Sequence, residues 1–201
     1  MNINKRLKIT DCTHRMLHTD PKLLDSMSDT IISWFPRFPR EYIVVCIGTD
    51  RSTGDALGPL TGSFLTEMKP KHLTVYGSLH NPVHAQNLKD YIKKINELHR
   101  KPYIIAIDAC LGKNSSVGQI ITGTGSLKPG AALNKSLPAI GDIHITGVVN
   151  ISGFMEYAIL QNTRLSIVTD MAKSIATILN VIDQQLSYQS FSPAIVSPQV
   201  R

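Results

Sequence analysis

Apolar positions along the chain switch between two spacings, and the switching predicts alternating helices and strands. Over residues 22–35, Leu24, Met27, Ile31 and Phe35 recur at helical spacing, and Pro36 and Pro39 close the element. Residues 42–47, YIVVCI, are continuously apolar, the pattern of a strand buried on both faces. The polar turn GTDRSTGD leads into a second helix over 56–68, with Leu57, Leu60, Phe64 and Met68 as its inward stripe. A short strand over 73–77 and a helix over 83–98 follow, the helix facing inward on Leu88, Tyr91, Ile92 and Ile95. Residues 103–108, YIIAID, form a third apolar strand. Glycines and two prolines mark 111–141 as mostly loop, interrupted by a short strand near 118–122. Residues 143–149 read as a further strand. A helix from about Ser152 and a longer one over 164–186, on Val168, Met171, Ile175, Ile178 and Ile182, close the chain.

Strands separated by helices of this length predict an α/β fold with a mostly parallel sheet covered on both faces. The whole chain, 1–201, reads as one domain. An N-terminal extension with a helix occupies 1–40, the core 41–186, and a loosely ordered tail 187–201. No internal repeat is visible.

Composition narrows the class. The chain has 201 residues, 42% hydrophobic and 18% charged, with 13 Gly and 11 Pro, a globular profile that needs no staples. Its three cysteines, Cys12, Cys46 and Cys110, are odd in number and lack C-x-x-C spacing, so neither a disulfide framework nor a zinc ribbon is expected. Unpaired thiols fit a reducing, cytoplasmic compartment. The basic N-terminal residues meet no apolar segment, so no signal peptide is expected. Uninterrupted apolar runs reach only about six residues, short of the ~20 of a membrane helix, and no membrane association is expected. The net charge of +6 comes from scattered residues with clusters at 69–71 and 93–101. It suits an acidic partner, but no aromatic-studded basic motif signals specific nucleic-acid binding.

Parallel sheets place ligands at the carboxyl ends of their strands, where chain order reverses. Two such positions carry carboxylates: Asp50 and Asp55 after the first strand, and Asp108 at the end of the third. Neighbouring strands would set Asp55 against Asp108, and paired carboxylates share a proton, one acting as base and the other as acid. The same residues also have plainer uses. Asp55 in a first helical turn gains about 0.3–1 kcal/mol from the helix dipole, and Asp108 can cap a turn. Other chemistries are less well signalled. The glycine-rich turn matches neither G-x-G-x-x-G nor the P-loop. His80 and His84 have the spacing of metal ligands on a helix, but Pro82 lies between them and a helix entrance explains them as well. Cys110 is a candidate nucleophile that equally suits a small buried side chain. No G-x-S-x-G elbow is present.

The segments STGDALGP (52–59), AIDAC (106–110), and the stretch from Gln119 through LKPGAALNKS (127–136) to ITGVVN resemble the spore germination protease family and, through it, the hydrogenase maturation proteases. The resemblance spans about 42–155. It implies a three-layer α/β/α peptidase-like core in which Asp55 and Asp108 form a catalytic aspartate pair, with no cofactor and no covalent intermediate. Asp50, Arg51 and the 127–136 loop, with Gly130 and Asn134, would shape the substrate site. The implied partner is a protein substrate, with small acid-soluble spore proteins as the natural class. The implied location is the cytoplasm of a sporulating cell or the spore interior. A spore protein that keeps the fold without the activity is the alternative, and a homo-oligomer is compatible with either. In the hydrogenase maturation proteases a histidine after a later strand completes nickel recognition. The corresponding stretch here, VVNISGF, carries Asn150 instead, so no metal is expected.

Overall fold

The computed structural model describes residues 12–130 and 137–191. Six strands form one sheet in the order β1-β5-β6-β4-β2-β3. They are β1 (Thr13–Leu17), β2 (Glu41–Cys46), β3 (Leu73–Tyr76), β4 (Pro102–Gly112), β5 (Gln119–Thr124) and β6 (Ile143–Ile151). Strands β3, β2, β4 and β6 run parallel, while β5 is antiparallel to both β6 and β1. The sheet is therefore mixed but mostly parallel.

Helices α1 (Leu23–Ser33), α2 (Leu57–Glu67) and α5 (Leu165–Phe191) cover one face, and α3 (Leu88–Leu98) covers the other. Strand β2 shows why its sequence is apolar throughout. Val44 and Cys46 pack with α1, α2 and α5, whereas Ile43, Val45 and Ile47 pack with α3. The result is the expected three-layer α/β/α sandwich.

Helix α5 is long and apolar enough to cross a bilayer over Leu165–Ser187. Its apolar positions are the middle of the core: Val168, Met171, Ile175, Ile178 and Ile182 are all fully buried. The side chain of Asp183 on the same helix accepts hydrogen bonds from the N–H groups of Lys71 (2.9 Å), His72 (2.7 Å) and Leu73 (3.0 Å), tying α5 to the start of β3.

Several sequence expectations need correction. The N-terminal segment is not only a helix with an approach, because β1 adds an edge strand to the sheet. The third strand does not stop at Asp108 but continues to Gly112, since β6 goes on pairing with it. The helix expected over 83–98 begins at Leu88. Val83 instead bridges to Ile47, and the Asn87 side chain accepts the His84 N–H (2.8 Å), which holds 83–87 as a turn. Helix α2 buries Gly58, Thr61 and Gly62 with Leu57 and Leu65, while Met68 is exposed. Residues 187–191, expected as tail, belong to α5.

Candidate active site

Chain order reverses between β2 and β4: β2 leads outward to β3, and β4 leads the other way toward β6. Strand β2 ends at Cys46, opposite Ile107, while β4 runs on. Beyond that point the sheet opens, and a cleft of about 700 Å³ fills the gap. It lies at the reversal point where open α/β sheets bind their ligands.

Two close approaches bring Asp55 to this place. A Cβ on Gly58 would run into the carbonyl oxygen of Ile47, and one on Gly62 into that of Gly77. Their absence lets α2 lie directly against the strand ends. The turn before α2 is pinned by Gly48 N–H to Val83 O (2.8 Å) and Thr49 N–H to Asp55 O (3.2 Å). A 3-10 turn, Gly54–Ala56, then carries Asp55 into the cleft.

Asp108 arrives from β4, opposite Thr146 of β6. Ile105 and Ile107 face α5 and Ala106 faces α3, so strand alternation turns Asp108 toward the α3 side. A bulge follows at once: Cys110 pairs with Val148 but Leu111 pairs with Asn150. Bulges of this kind re-aim side chains beside active sites.

Burial drives the Asp108 carboxyl up from its ordinary 3.8 to about 7. The Ala109 N–H (2.9 Å to Oδ1) opposes this, the Asp55 charge adds to it, and the Gly130 N–H opposes it again. Up to about pH 7 Asp108 therefore keeps a proton that an ordinary carboxyl would have lost, as one member of a proton-sharing pair does.

The structure brings together Asp55, Asp108, Asp50, Arg51 and Gly130 in one cleft. Asp50 and Arg51 are exposed at its mouth. Gly130, at φ +67°, reaches Asp108 through its N–H, held by a two-way backbone pairing of Leu127 with Ile140 (both 3.0 Å). Asn134 lies outside the described residues. His80 and His84 are not on a helix, and of the two only His84 lines the cleft. Among the described residues no group of three His, Cys, Asp or Glu stands close enough to hold a metal ion. Asn150 instead anchors a short helix, α4 (Glu156–Gln161), by donating to Ile159 O (3.3 Å) and Thr163 Oγ1 (3.2 Å). Cys110 lines the cleft, but burial pushes its thiol up to about 11, with Thr146 opposing and Asp108 adding. Such a thiol is a poor nucleophile at neutral pH.

Sequence reasoning missed two parts of the cleft. The wall formed by Glu156, Tyr157 and Leu160 of α4 carries no motif. Ser52, buried in the turn before Asp55, was visible only as part of the STGD segment.

The family described as "Protein of unknown function (DUF1256)" matches residues 15–178. The "Uncharacterized protein YyaC" of Bacillus subtilis (strain 168) is 56% identical over 142 residues, covering 71% of this chain and 69% of that one. Among solved structures, the NiFe hydrogenase maturation protease HycI from Thermococcus kodakarensis KOD1 superposes with a TM-score of 0.53. That match has 16% identity and covers 79% of this chain and 99% of the other. At that identity the similarity concerns the fold, which is the α/β fold of a protease.

Proposed function

This chain belongs to the DUF1256 family, and we propose that its cleft is the active site of an endopeptidase in which Asp55 and Asp108 activate water. The observation that carries the reading is the convergence of two carboxyls from separate elements in one cleft, one of them held by burial well above the usual carboxylate range. The Asp55 carboxylate takes a proton from water as its oxygen attacks the peptide carbonyl carbon, and Asp108 gives its proton to the carbonyl oxygen. Asp55 then returns a proton to the amide nitrogen, Asp108 recovers one from the intermediate, and the C–N bond breaks. No group on the enzyme is left covalently altered.

A polypeptide suits the rim. Ile151, Phe154, Met155 and Tyr157 are exposed along the β6–α4 connection, beside the wall that Tyr157 contributes. The resemblance to the germination protease family supplies small acid-soluble spore proteins as the substrate class and a sporulating cell as the setting.

The test is a cleavage assay on spore-extract proteins with wild type, Asp55→Asn and Asp108→Asn, read by mass spectrometry of new termini. Wild type should create termini that both variants, folded by circular dichroism, fail to create. Undiminished cleavage by either variant would overturn the reading. Cleavage by none of the three would favour a binding protein that retains the fold.

A further inference from the structure

We infer that Ser52 is a substrate-binding residue whose Oγ–H donates to a main-chain carbonyl oxygen flanking the scissile bond, an inference that rests on the peptidase reading above. Ser52 lines the cleft three residues before Asp55. It is only 3% exposed, and its Oγ has no hydrogen-bond partner among the described residues. Buried hydroxyls are nearly always bonded, so an unbonded one on a residue that lines a cleft marks a contact reserved for a ligand.

The local alternative is a helix cap. Ser-x-x-Asp is a capping-box pattern, in which the serine hydroxyl would accept the N–H of the residue three ahead. Here the backbone alone does the capping: the Ser52 carbonyl accepts the Ala56 N–H (3.1 Å), and the hydroxyl takes no part. Substituting the side chain therefore leaves no group in the turn unpaired.

The choice of a carbonyl as partner follows from the cleft's chemistry. Asp50, Asp55 and Asp108 offer acceptor oxygens suited to the N–H groups of a peptide. The backbone donors of Ala109 and Gly130 are already committed to Asp108. Beside the charged donors Arg51 and Lys128, Ser52 offers an entering peptide carbonyl a neutral donor three residues before Asp55.

The experiment uses the peptide spanning the bond identified in the termini assay, together with analogues in which each flanking carbonyl in turn is reduced to a methylene. Wild type and Ser52→Ala are compared on every peptide. On the natural peptide Ser52→Ala should lose roughly tenfold or more in kcat/KM while its pH profile keeps its shape. One analogue should cost wild type about tenfold and cost Ser52→Ala nothing, the non-additivity of a direct contact. The melting temperature of Ser52→Ala should hold or rise, and Ser52→Gly should show the same kinetic changes. Additive losses on every analogue, or a fall of several degrees in melting temperature with kinetics unchanged, would overturn the inference and leave the peptidase reading standing. No cleavage by wild type would overturn both.

Discussion

Asp108 carries a cost that the rest of the molecule has to cover. Burial pushes its carboxyl up to about 7 in the folded protein, from an ordinary 3.8. Between those values the folded state holds a proton that the unfolded state has lost, so stability falls as pH rises through that window and levels off above about 7. A difference of that size corresponds to about 4 kcal/mol. Asp108→Asn removes the ionisation while its amide oxygen still accepts from Ala109 and Gly130. We expect the variant to match wild type near pH 4 and to exceed it by a few kcal/mol at pH 8 in urea titrations. A constant difference across that range would show that Asp108 does not ionise late. The same titration sets the alkaline limb of activity: cleavage should decline as pH rises through about 7, where Asp108 loses the proton it must donate.

Among the elements, the contact of α5 with β3 is the most exposed to a single substitution. The Asp183 side chain, 4% exposed, satisfies three consecutive N–H groups at the start of β3, the edge strand of the sheet. Asp183→Ala leaves those donors unpaired. At ~1 kcal/mol each the variant should lose about 3 kcal/mol and melt roughly 6–12 °C lower, without change in kcat at permissive temperature. The same scale explains what could be read in advance. Strands β2 and β4 and helix α5 were legible because burial on both faces, or along one stripe, forces an apolar pattern. Strand β1 was not, because THRML is a half-exposed edge that pairs with β5 and has no fully buried residue to set an apolar pattern. Helix α2 was legible in part: Leu57 is buried and Leu60 and Phe64 pack against the core as expected, but Met68 is exposed and the close approach to the strand ends rests on the small residues Gly58 and Gly62. The two aspartates stood out by position after apolar runs. The walls of their cleft did not, since the 83–87 turn and the bulge in β6 arise from tertiary pairing, and the helix expected from about Ser152, which begins at Glu156, carries no motif.

Across the whole molecule, charge and apolar surface are distributed differently with respect to the cleft. The net +6 does not extend into it: Arg51 and Lys128 face Asp50, Asp55, Asp108 and Glu156. On the proposed peptidase reading, an acidic substrate would gain little at the reacting bond from the overall charge, and capture would fall to the exposed apolar residues beside α4. Phe154 is fully exposed, with Met155 and Tyr157 beside it, and α4 is fixed to the sheet by Asn150 rather than by these side chains. Truncating them removes contact surface without unpacking the core. Phe154→Ser with Tyr157→Ser should raise KM for a protein substrate about tenfold or more while kcat and melting temperature stay near wild type, the signature of lost uniform binding. A short peptide that spans only the scissile bond should show no such change. Equal KM values for the variant and wild type on the full-length substrate would place substrate capture elsewhere on the molecule. Added salt should then raise KM, because the remaining attraction would come from the basic surface outside the cleft.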